Sequence, residues 1–187
     1  IHHTPKTVLI TGAAGFIGSH LAERLLEEGH SVIGLDNFNE YYKVAIKENN
    51  IRACRKSPRF TLVKGDICDP KLLPSLFATH KPDWIIHLAA MVGVRHSFNE
   101  PDLYFLTNNE GTSKLLQLAT EHQVEKFIFA SSSSVYGNNS RVPFREDAVV
   151  DQPISPYAAT KLEGEQLCRT YWEQYQLPVT VLRFFTV

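Results

Sequence analysis

Tyr157 and Lys161 are the two side chains whose types and spacing best fit proton-transfer chemistry. Four residues apart on a helix, they would lie on one face of it. A lysine ammonium close to a phenol stabilises the phenolate, so the pattern predicts a lowered pKa for Tyr157 and a role as general base. A solvated helical pair is the ordinary alternative for such a common motif. The serine run at 131–134 offers a hydroxyl that could donate to a substrate oxygen.

Residues 11–18, Thr-Gly-Ala-Ala-Gly-Phe-Ile-Gly, lie between the apolar run 7–10 and an amphipathic helical pattern. The glycine spacing is G-x-x-G-x-x-G, which differs from the common G-x-G-x-x-G fingerprint. A strand that turns through glycines into a helix presents backbone N–H groups at the positive end of the helix dipole, where a diphosphate binds. We expect Gly12 to form the turn, Gly15 to allow close backbone approach and Gly18 to let the helix pack on the strand.

Asp36 follows a second apolar run, 31–35, and comes eighteen residues after Gly18. An acid at about this distance, at the tip of the second strand, accepts hydrogen bonds from the adenosine ribose. An ordinary acid at the start of a loop is the alternative. The next residues, 37–39, contain no arginine that could pair with a 2′-phosphate. Because a carboxylate would repel that phosphate, the pattern favours NAD over NADP.

Composition narrows the function classes. The 187 residues carry 19 basic and 20 acidic side chains, well interspersed, and no basic stripe indicates a nucleic-acid partner. No apolar run reaches the length of a membrane span, and the N-terminus does not resemble a signal peptide. Three scattered cysteines and eight histidines show neither a disulfide frame nor metal-ligand spacing. We expect a cytoplasmic protein with no metal, no nucleic acid and no membrane among its partners.

Short apolar runs alternate with helical patterns along the chain. The predicted strands are 7–10, 31–35, 60–63, 84–88, 127–130 and 179–182. The predicted helices include 41–56, 101–122 and one that begins at Ser155-Pro156. This alternation predicts an α/β fold, a doubly wound parallel (Rossmann) sheet in the order 3-2-1-4-5-6. We expect one NAD-binding domain over 1–187, with the substrate-binding C-terminal domain not present in this chain.

Five motifs taken together resemble the extended short-chain dehydrogenase/reductases, the NAD-dependent nucleotide-sugar epimerase/dehydratase family. They are 11–18, Gly65-Asp66-Ile67, His87-Leu88-Ala89-Ala90, Ser132-Ser133-Ser134-Val135-Tyr136-Gly137 and Tyr157-Ala158-Ala159-Thr160-Lys161. Each is common alone, and their combination is specific. Finer features at 35–42, 93–97, 131–134 and 183–187 resemble the UDP-glucuronate 4-epimerases in particular.

The resemblance implies a site residue by residue. The expected NAD-binding residues are Gly12, Gly15, Phe16, Ile17, Gly18, Asp36, Asn37, Asp66, Ile67, Leu88, Ala89, Ala90, Thr107, Tyr157, Lys161 and Phe185. The expected catalytic residues are Ser132, Tyr157 and Lys161. The expected substrate contacts are Ser133, Ser134 and Thr186. Arg95 could hold an anionic group, with a solvent-facing arginine as the equal alternative.

These roles imply NAD-dependent epimerisation at C4 of a UDP-sugar through a 4-keto intermediate, with UDP-glucuronate and UDP-galacturonate as the expected pair. Tyr157 would take the 4-hydroxyl proton while C4 gives a hydride to NAD, and the keto sugar would turn before the hydride returns. The family's dehydratases commonly carry an acidic pair where Ser133 and Ser134 stand here, and UDP-xylose synthases usually a glutamate at the latter position. A UDP-glucose/galactose 4-epimerase and a non-catalytic NAD-binding regulator remain alternatives. We also expect a homodimer.

Overall fold

The structure is a computed structural model that describes residues 4–138 and 141–187. Its six-stranded sheet has the order β3-β2-β1-β4-β5-β6, and every pair of neighbouring strands is parallel. The strands are β1 (Thr7–Thr11), β2 (Ser31–Asp36), β3 (Phe60–Lys64), β4 (Trp84–His87), β5 (Lys126–Ser132) and β6 (Val179–Phe184). The predicted doubly wound sheet and its strand order are therefore confirmed.

Helices connect the strands and cover both faces of the sheet. They are α1 (Phe16–Glu27), α2 (Val44–Asn50), α3 (Leu72–His80), α4 (Val94–Ser97), α5 (Pro101–Phe105), α6 (Gly111–Glu121) and α7 (Pro156–Tyr175). A π-helical segment, Leu106–Glu110, joins α5 to α6 without a break. Within the part of the chain that the structure describes, no helix is long and apolar enough to cross a membrane.

Two helix predictions need correction. The helix expected over 41–56 is shorter, because α2 ends at Asn50 and only a 3₁₀ turn, Cys54–Lys56, follows. Asparagine is a weak helix former, and the Asn50 amide instead donates to the Ala14 carbonyl at 2.9 Å. The helix expected over 101–122 contains the π-helical segment, and π-turns are frequent at functional sites.

The core consists of two apolar layers, one on each face of the sheet. Successive strand residues point to opposite faces, so Leu9 of β1 belongs to one layer and Val8 and Ile10 to the other. Leu25 of α1 joins Val8 and Ile10, while Leu115 of α6 joins Leu9. Each fully buried side chain of this size contributes about 1.5–3 kcal/mol. These layers hold the carboxyl ends of the strands along one edge.

Helix α7 begins where the sequence predicts. Ser155 caps it by accepting a hydrogen bond from the Ala158 N–H at 3.0 Å, and Pro156 occupies the first turn. Gly164 allows the helix to lie close to the sheet, because a Cβ there would overlap the Phe129 ring. The close packing holds the start of α7 beside the carboxyl end of β5.

Candidate active site

A cleft of about 750 Å³ opens at the carboxyl ends of the strands. Its volume lies within the range typical of sites for small molecules and cofactors. The residues that line it include every expected NAD-binding residue, together with Ser132, Tyr157 and Lys161 of the expected catalytic set. The fold thus brings side chains from distant parts of the chain into one concave site.

The glycine turn between β1 and α1 forms one wall of the cleft. Gly12 has a φ of +72°, and a Cβ there would lie 2.8 Å from the Ala89 nitrogen. At Gly18 a Cβ would overlap the Gly12 carbonyl oxygen, so α1 can begin this close to the turn only with glycine. Gly15 is the N-cap of α1 and provides no side-chain cap. The cleft therefore faces uncapped backbone N–H groups at a helix N-terminus, an arrangement that binds anions.

Asp36 ends β2 and is 6% exposed at the edge of the cleft. Its Oδ2 accepts a hydrogen bond from the Ala14 N–H at 3.0 Å, and its Oδ1 accepts one from the Phe38 N–H at 2.8 Å. These bonds fix the orientation of the carboxylate. Each oxygen has a second lone pair with which to accept a ligand hydroxyl.

Lys47 of α2 also lines this part of the cleft, and the sequence analysis missed it. The residue is 5% exposed, and its Nζ donates to Asn39 Oδ1 at 2.8 Å. The same Nζ lies 3.6 Å from Asp36 Oδ1 and 5.1 Å from the centre of the Tyr42 ring. One sequence signal could have found it: Lys47 is four residues before the apolar Ile51 and would share its helical face.

Ser132, Tyr157 and Lys161 meet at the opposite end of the cleft. Ser132 is the last residue of β5, and its Oγ accepts a hydrogen bond from the Ser134 N–H at 3.1 Å. Lys161 is buried, and its Nζ donates to the Ala130 carbonyl at 2.8 Å. The same Nζ lies 6.0 Å from the centre of the Tyr157 ring. The three groups can therefore act on one bound molecule.

The protonation behaviour of Tyr157 differs from expectation. Burial raises the pKa of its phenol, and the hydrogen bond with the Ser132 side chain lowers it by a smaller amount. The predicted net lowering is wrong, because burial outweighs this hydrogen bond, and the Lys161 ammonium donates to the Ala130 carbonyl. Burial also lowers the pKa of Lys161 to about 8, so this amine remains mainly cationic at pH 7.

A buried hydrogen-bond chain supports the loop after β4. His87 is in contact through Nδ1 with Thr11 Oγ1 at 2.6 Å and through Nε2 with Thr112 Oγ1 at 2.9 Å. Thr11 Oγ1 also accepts a hydrogen bond from the Ala89 N–H at 3.1 Å. Thr112 Oγ1 donates to the Asn108 carbonyl, so His87 donates from Nε2 and accepts at Nδ1. His87 is thus a satisfied core histidine.

Asn108, in the π-helical segment, joins the loop after β4 to the catalytic helix. Its Oδ1 accepts a hydrogen bond from the Met91 N–H at 2.7 Å, and its Nδ2 donates to the Met91 carbonyl and to Thr160 Oγ1, both at 3.0 Å. Thr160 Oγ1 in turn donates to the Tyr157 carbonyl at 2.8 Å. The first turn of α7 is therefore anchored to the cleft wall.

A second anchor holds the end of β6. Arg183 makes two hydrogen bonds to the Glu165 carboxylate, from Nε at 2.9 Å and Nη2 at 2.8 Å, and Ser131 Oγ donates to the same carboxylate at 2.5 Å. The Glu165 carboxylate thus links α7 to β5 through Ser131 and to β6 through Arg183. Arg183 comes two residues before Phe185, which lines the cleft. No feature of the sequence pattern indicates this pairing.

The expected substrate contacts separate into two groups. Thr186 lines the cleft. Ser133 and Ser134 are half-buried in a 3₁₀ turn, Ser133–Tyr136, directly beyond Ser132 and outside the lining. Arg95 is exposed on α4 and is also outside it.

A doubly wound parallel sheet with a glycine turn and a serine–tyrosine–lysine set at its carboxyl edge defines the short-chain dehydrogenase/reductase class. The model of the GDP-mannose 4,6-dehydratase family matches residues 9–187. The chain belongs to this family of nucleotide-sugar epimerases and dehydratases.

Three known proteins show what the chain resembles. UDP-glucuronate 4-epimerase 4 of Arabidopsis thaliana is 46% identical over 182 residues, which cover 97% of this chain and 41% of that protein. The UDP-glucuronic acid 4-epimerase of Bacillus cereus, solved with UDP-glucuronic acid and NAD, has a TM-score of 0.88 and 38% identity over 96% of this chain and 56% of its own. A Brucella ovis UDP-glucose 4-epimerase, solved with NAD, has a TM-score of 0.83 and 33% identity over 97% of this chain and 52% of its own. The chain thus spans about half the length of the relatives it matches.

Proposed function

We propose that this chain is the NAD-binding part of a UDP-sugar 4-epimerase, and that its substrate pair is UDP-glucuronate and UDP-galacturonate. The observation that carries the proposal is the meeting of Ser132, Tyr157 and Lys161 at one end of a cleft whose other end has a glycine turn and a buried carboxylate. The Arabidopsis and Bacillus relatives, named as UDP-glucuronate 4-epimerases, support the choice of sugar.

The residues present fit NAD. The glycine turn and the N-terminus of α1 would hold the diphosphate, because a side chain at Gly12 or Gly18 would fill the turn. Asp36 would accept from the adenosine ribose, and Lys161 would hold the nicotinamide ribose. When bound, NAD supplies a nicotinamide that accepts a hydride from the sugar C4 and returns it to the other face.

Tyr157 is the proposed general base. Its phenolate would take the proton of the sugar 4-hydroxyl, and the phenol would give the proton back after the sugar has turned. Burial raises the pKa of this phenol, so ionisation needs positive charge in the cleft. Lys161 supplies part of that charge, and Ser132 donates a hydrogen bond to the sugar oxygen as its charge develops.

The hydroxyls beyond Ser132 suit a sugar with a carboxylate at C5. The 4-keto form of a uronic acid is a β-keto acid and loses carbon dioxide readily. Ser133, Ser134 and Thr186 are the proposed contacts, because small hydroxyls can hold a carboxylate without charge repulsion. We expect Ser134→Glu to turn over the uronic acid more slowly than Ser134→Gln, whose side chain has the same shape as glutamate without the charge.

The test uses the complete protein that carries this chain. It is incubated with NAD and, in separate samples, with UDP-glucuronate and UDP-glucose, and the sugars are resolved by NMR. We expect UDP-galacturonate from the first sample. Turnover of UDP-glucose alone would favour the alternative that the Brucella relative represents. NAD binding without turnover of either sugar would favour a non-catalytic regulator.

We also propose a homodimer. Leu103, Phe105 and Leu106 on α5 and the π-helical segment, and Trp172 on the adjoining α7, are apolar side chains that remain 38–50% exposed. A second copy could cover them. Analytical ultracentrifugation of the complete protein should give twice the mass of one chain.

A further inference from the structure

Phe185 is an exposed aromatic side chain at the catalytic end of the cleft. It directly follows β6, whose last residue, Phe184, pairs in the sheet with Ser132 of β5. Phe185 therefore lies beside the proposed catalytic set and outside the strand ladder, which fixes the direction of side chains within it. Because 57% of its surface is open to solvent, its ring keeps one orientation only if neighbouring side chains hold it.

Two rings from an earlier part of the chain lie against Phe185. The centre of the Phe144 ring is 6.1 Å from that of Phe185, with 27° between the planes, and the Tyr136 ring is 6.4 Å away at 36°. Tyr136 and Phe144 are themselves stacked, at 4.7 Å and 13°. All three separations fall within the range of about 4.5–7 Å that is typical of aromatic pairs. We call Tyr136, Phe144 and Phe185 the aromatic stack.

Tyr136 is the fixed member of the aromatic stack. It is 7% exposed, and its hydroxyl donates to the Arg145 carbonyl at 3.1 Å. The guanidinium carbon of Arg183 lies 4.9 Å from its ring centre, and Arg183 is in turn paired with Glu165. Phe144 has no polar atom in its side chain, so packing alone connects it to this anchored ring. It can therefore pass the position of Tyr136 on to Phe185.

We propose that Phe144 is a positioning residue for hydride transfer, which holds the Phe185 ring against the nicotinamide through the aromatic stack. The inference rests on the proposed NAD site. Hydride transfer from the sugar C4 requires the nicotinamide beside Ser132 and Tyr157, the end of the cleft where Phe185 lies. The exposed ring of Phe185 can cover one face of the nicotinamide. Phe144 itself is outside the cleft lining, so its effect is transmitted by Phe185.

Phe144 also packs in a small apolar cluster with Val135 and Leu162, so its loss affects stability as well as position. A comparison of NAD with ADP-ribose separates the two effects. Both ligands contain the adenosine and the diphosphate, and only NAD contains the nicotinamide. A loss of folded protein would weaken the binding of both ligands equally, whereas displacement of Phe185 weakens the binding of NAD alone.

The experiment is calorimetric titration of the complete protein with NAD and with ADP-ribose, combined with the NMR assay of turnover. We expect Phe144→Leu to bind NAD about threefold to tenfold more weakly, the equivalent of one aromatic pair, and ADP-ribose with the affinity of the parent. Its kcat should fall at least about tenfold, because a misplaced nicotinamide is poorly aligned with C4. The KM for the sugar should change less. Phe144→Tyr keeps the ring and should match the parent in each measurement.

Phe98→Leu is the matched control. Phe98 is another exposed phenylalanine outside the cleft lining, so this variant should bind both ligands as the parent does. The double variant Phe144→Leu/Phe185→Leu tests the route of the effect. It should bind NAD with the affinity of Phe185→Leu, because Phe144 acts only through that ring.

Thermal unfolding is recorded for every variant. Phe144→Met provides a second route where Phe144→Leu does not fold, because methionine fills irregular space without a ring, and it should lose affinity for NAD alone. An unchanged NAD affinity in the folded variant, equal losses for NAD and ADP-ribose, or additive losses in the double variant would overturn the inference while NAD binding stands. A parent protein that binds no NAD would overturn the proposed function as well.

Discussion

Tyr157 shows how one residue depends on its surroundings for reactivity. Its pKa is raised by burial, and the Lys161 ammonium donates to the Ala130 carbonyl. Under the proposed mechanism, positive charge in the cleft must lower this pKa before the phenol can ionise.

We expect Tyr157→Phe to bind NAD with the affinity of the parent and to lose turnover by about 10²–10⁴-fold, the usual contribution of a general base. The phenyl ring packs in the same way and cannot accept a proton. Calorimetry and an NMR assay of the complete protein measure the two effects. Tyr175→Phe, an exposed tyrosine on the same helix, is the control and should match the parent. Turnover by Tyr157→Phe within twofold of the parent would mean that another group is the base.

His87 predicts a pH dependence of stability. Burial lowers its pKa to about 3, whereas an unfolded histidine titrates near pH 6.5. Between these values the unfolded chain binds one more proton than the folded one. The free energy of unfolding therefore falls as the pH is lowered through this window, by about 1.4 kcal/mol per pH unit from this residue.

Urea unfolding at pH 7 and pH 5 measures this contribution. We expect His87→Gln to be less stable than the parent at pH 7, because it loses the bond to Thr11, and to lose about 2 kcal/mol less between the two pH values. His20→Gln replaces an exposed histidine and should follow the parent. A parent and a His87→Gln variant with the same pH slope would exclude the mechanism.

At the scale of elements, the glycines at the junction of β1 and α1 have two different roles: two of them are required by the fold, and one leaves space for a ligand. Gly12 and Gly18 are required by the turn itself, since a Cβ at either would meet backbone atoms. Gly15 has an extended backbone that any residue adopts, with a φ of −71° and a ψ of 173°. A Cβ there would lie 3.2 Å from the Gly12 oxygen, which small shifts can relieve. The space at Gly15 is therefore available for a ligand.

We expect Gly18→Ala to lower the free energy of unfolding by about 1–3 kcal/mol, the usual cost of overpacking. Gly15→Ala should unfold within about 1 kcal/mol of the parent and bind NAD at least about tenfold more weakly, because its methyl group blocks the diphosphate. Denaturant unfolding and calorimetry give both quantities for each variant. Equal losses of stability in the two variants would contradict this division of roles.

At the scale of the whole molecule, the cleft collects residues at or directly after the carboxyl ends of all six strands, from helices α1, α2 and α7 and from the π-helical segment, so a dinucleotide would touch most of the fold. A ligand that binds only the folded state stabilises it by mass action. We expect NAD at a hundredfold excess over its dissociation constant to raise the free energy of unfolding of this 187-residue chain by about 2.7 kcal/mol. Thermal unfolding with and without NAD measures the change. Equimolar NADP is the control and should have a smaller effect.

Local pattern alone determined the strands, the helix starts and the glycine turn, and the strand order followed from the doubly wound fold that their alternation predicts. Apolar runs, glycines and the Ser155-Pro156 cap act on neighbouring residues, so their consequences are visible in one stretch of chain. The same holds for Tyr157 and Lys161, whose shared helical face follows from their spacing.

Only the tertiary structure decided the pairings between distant elements. Asp36 with Lys47, Met91 with Asn108 and Glu165 with Arg183 come from different elements of the fold. The direction of the Tyr157 pKa shift belongs here too, because burial is its largest cause. Periodicity in the sequence predicts which face of a helix or strand is buried. The packing of the helices on the sheet determines which distant side chains that face contacts.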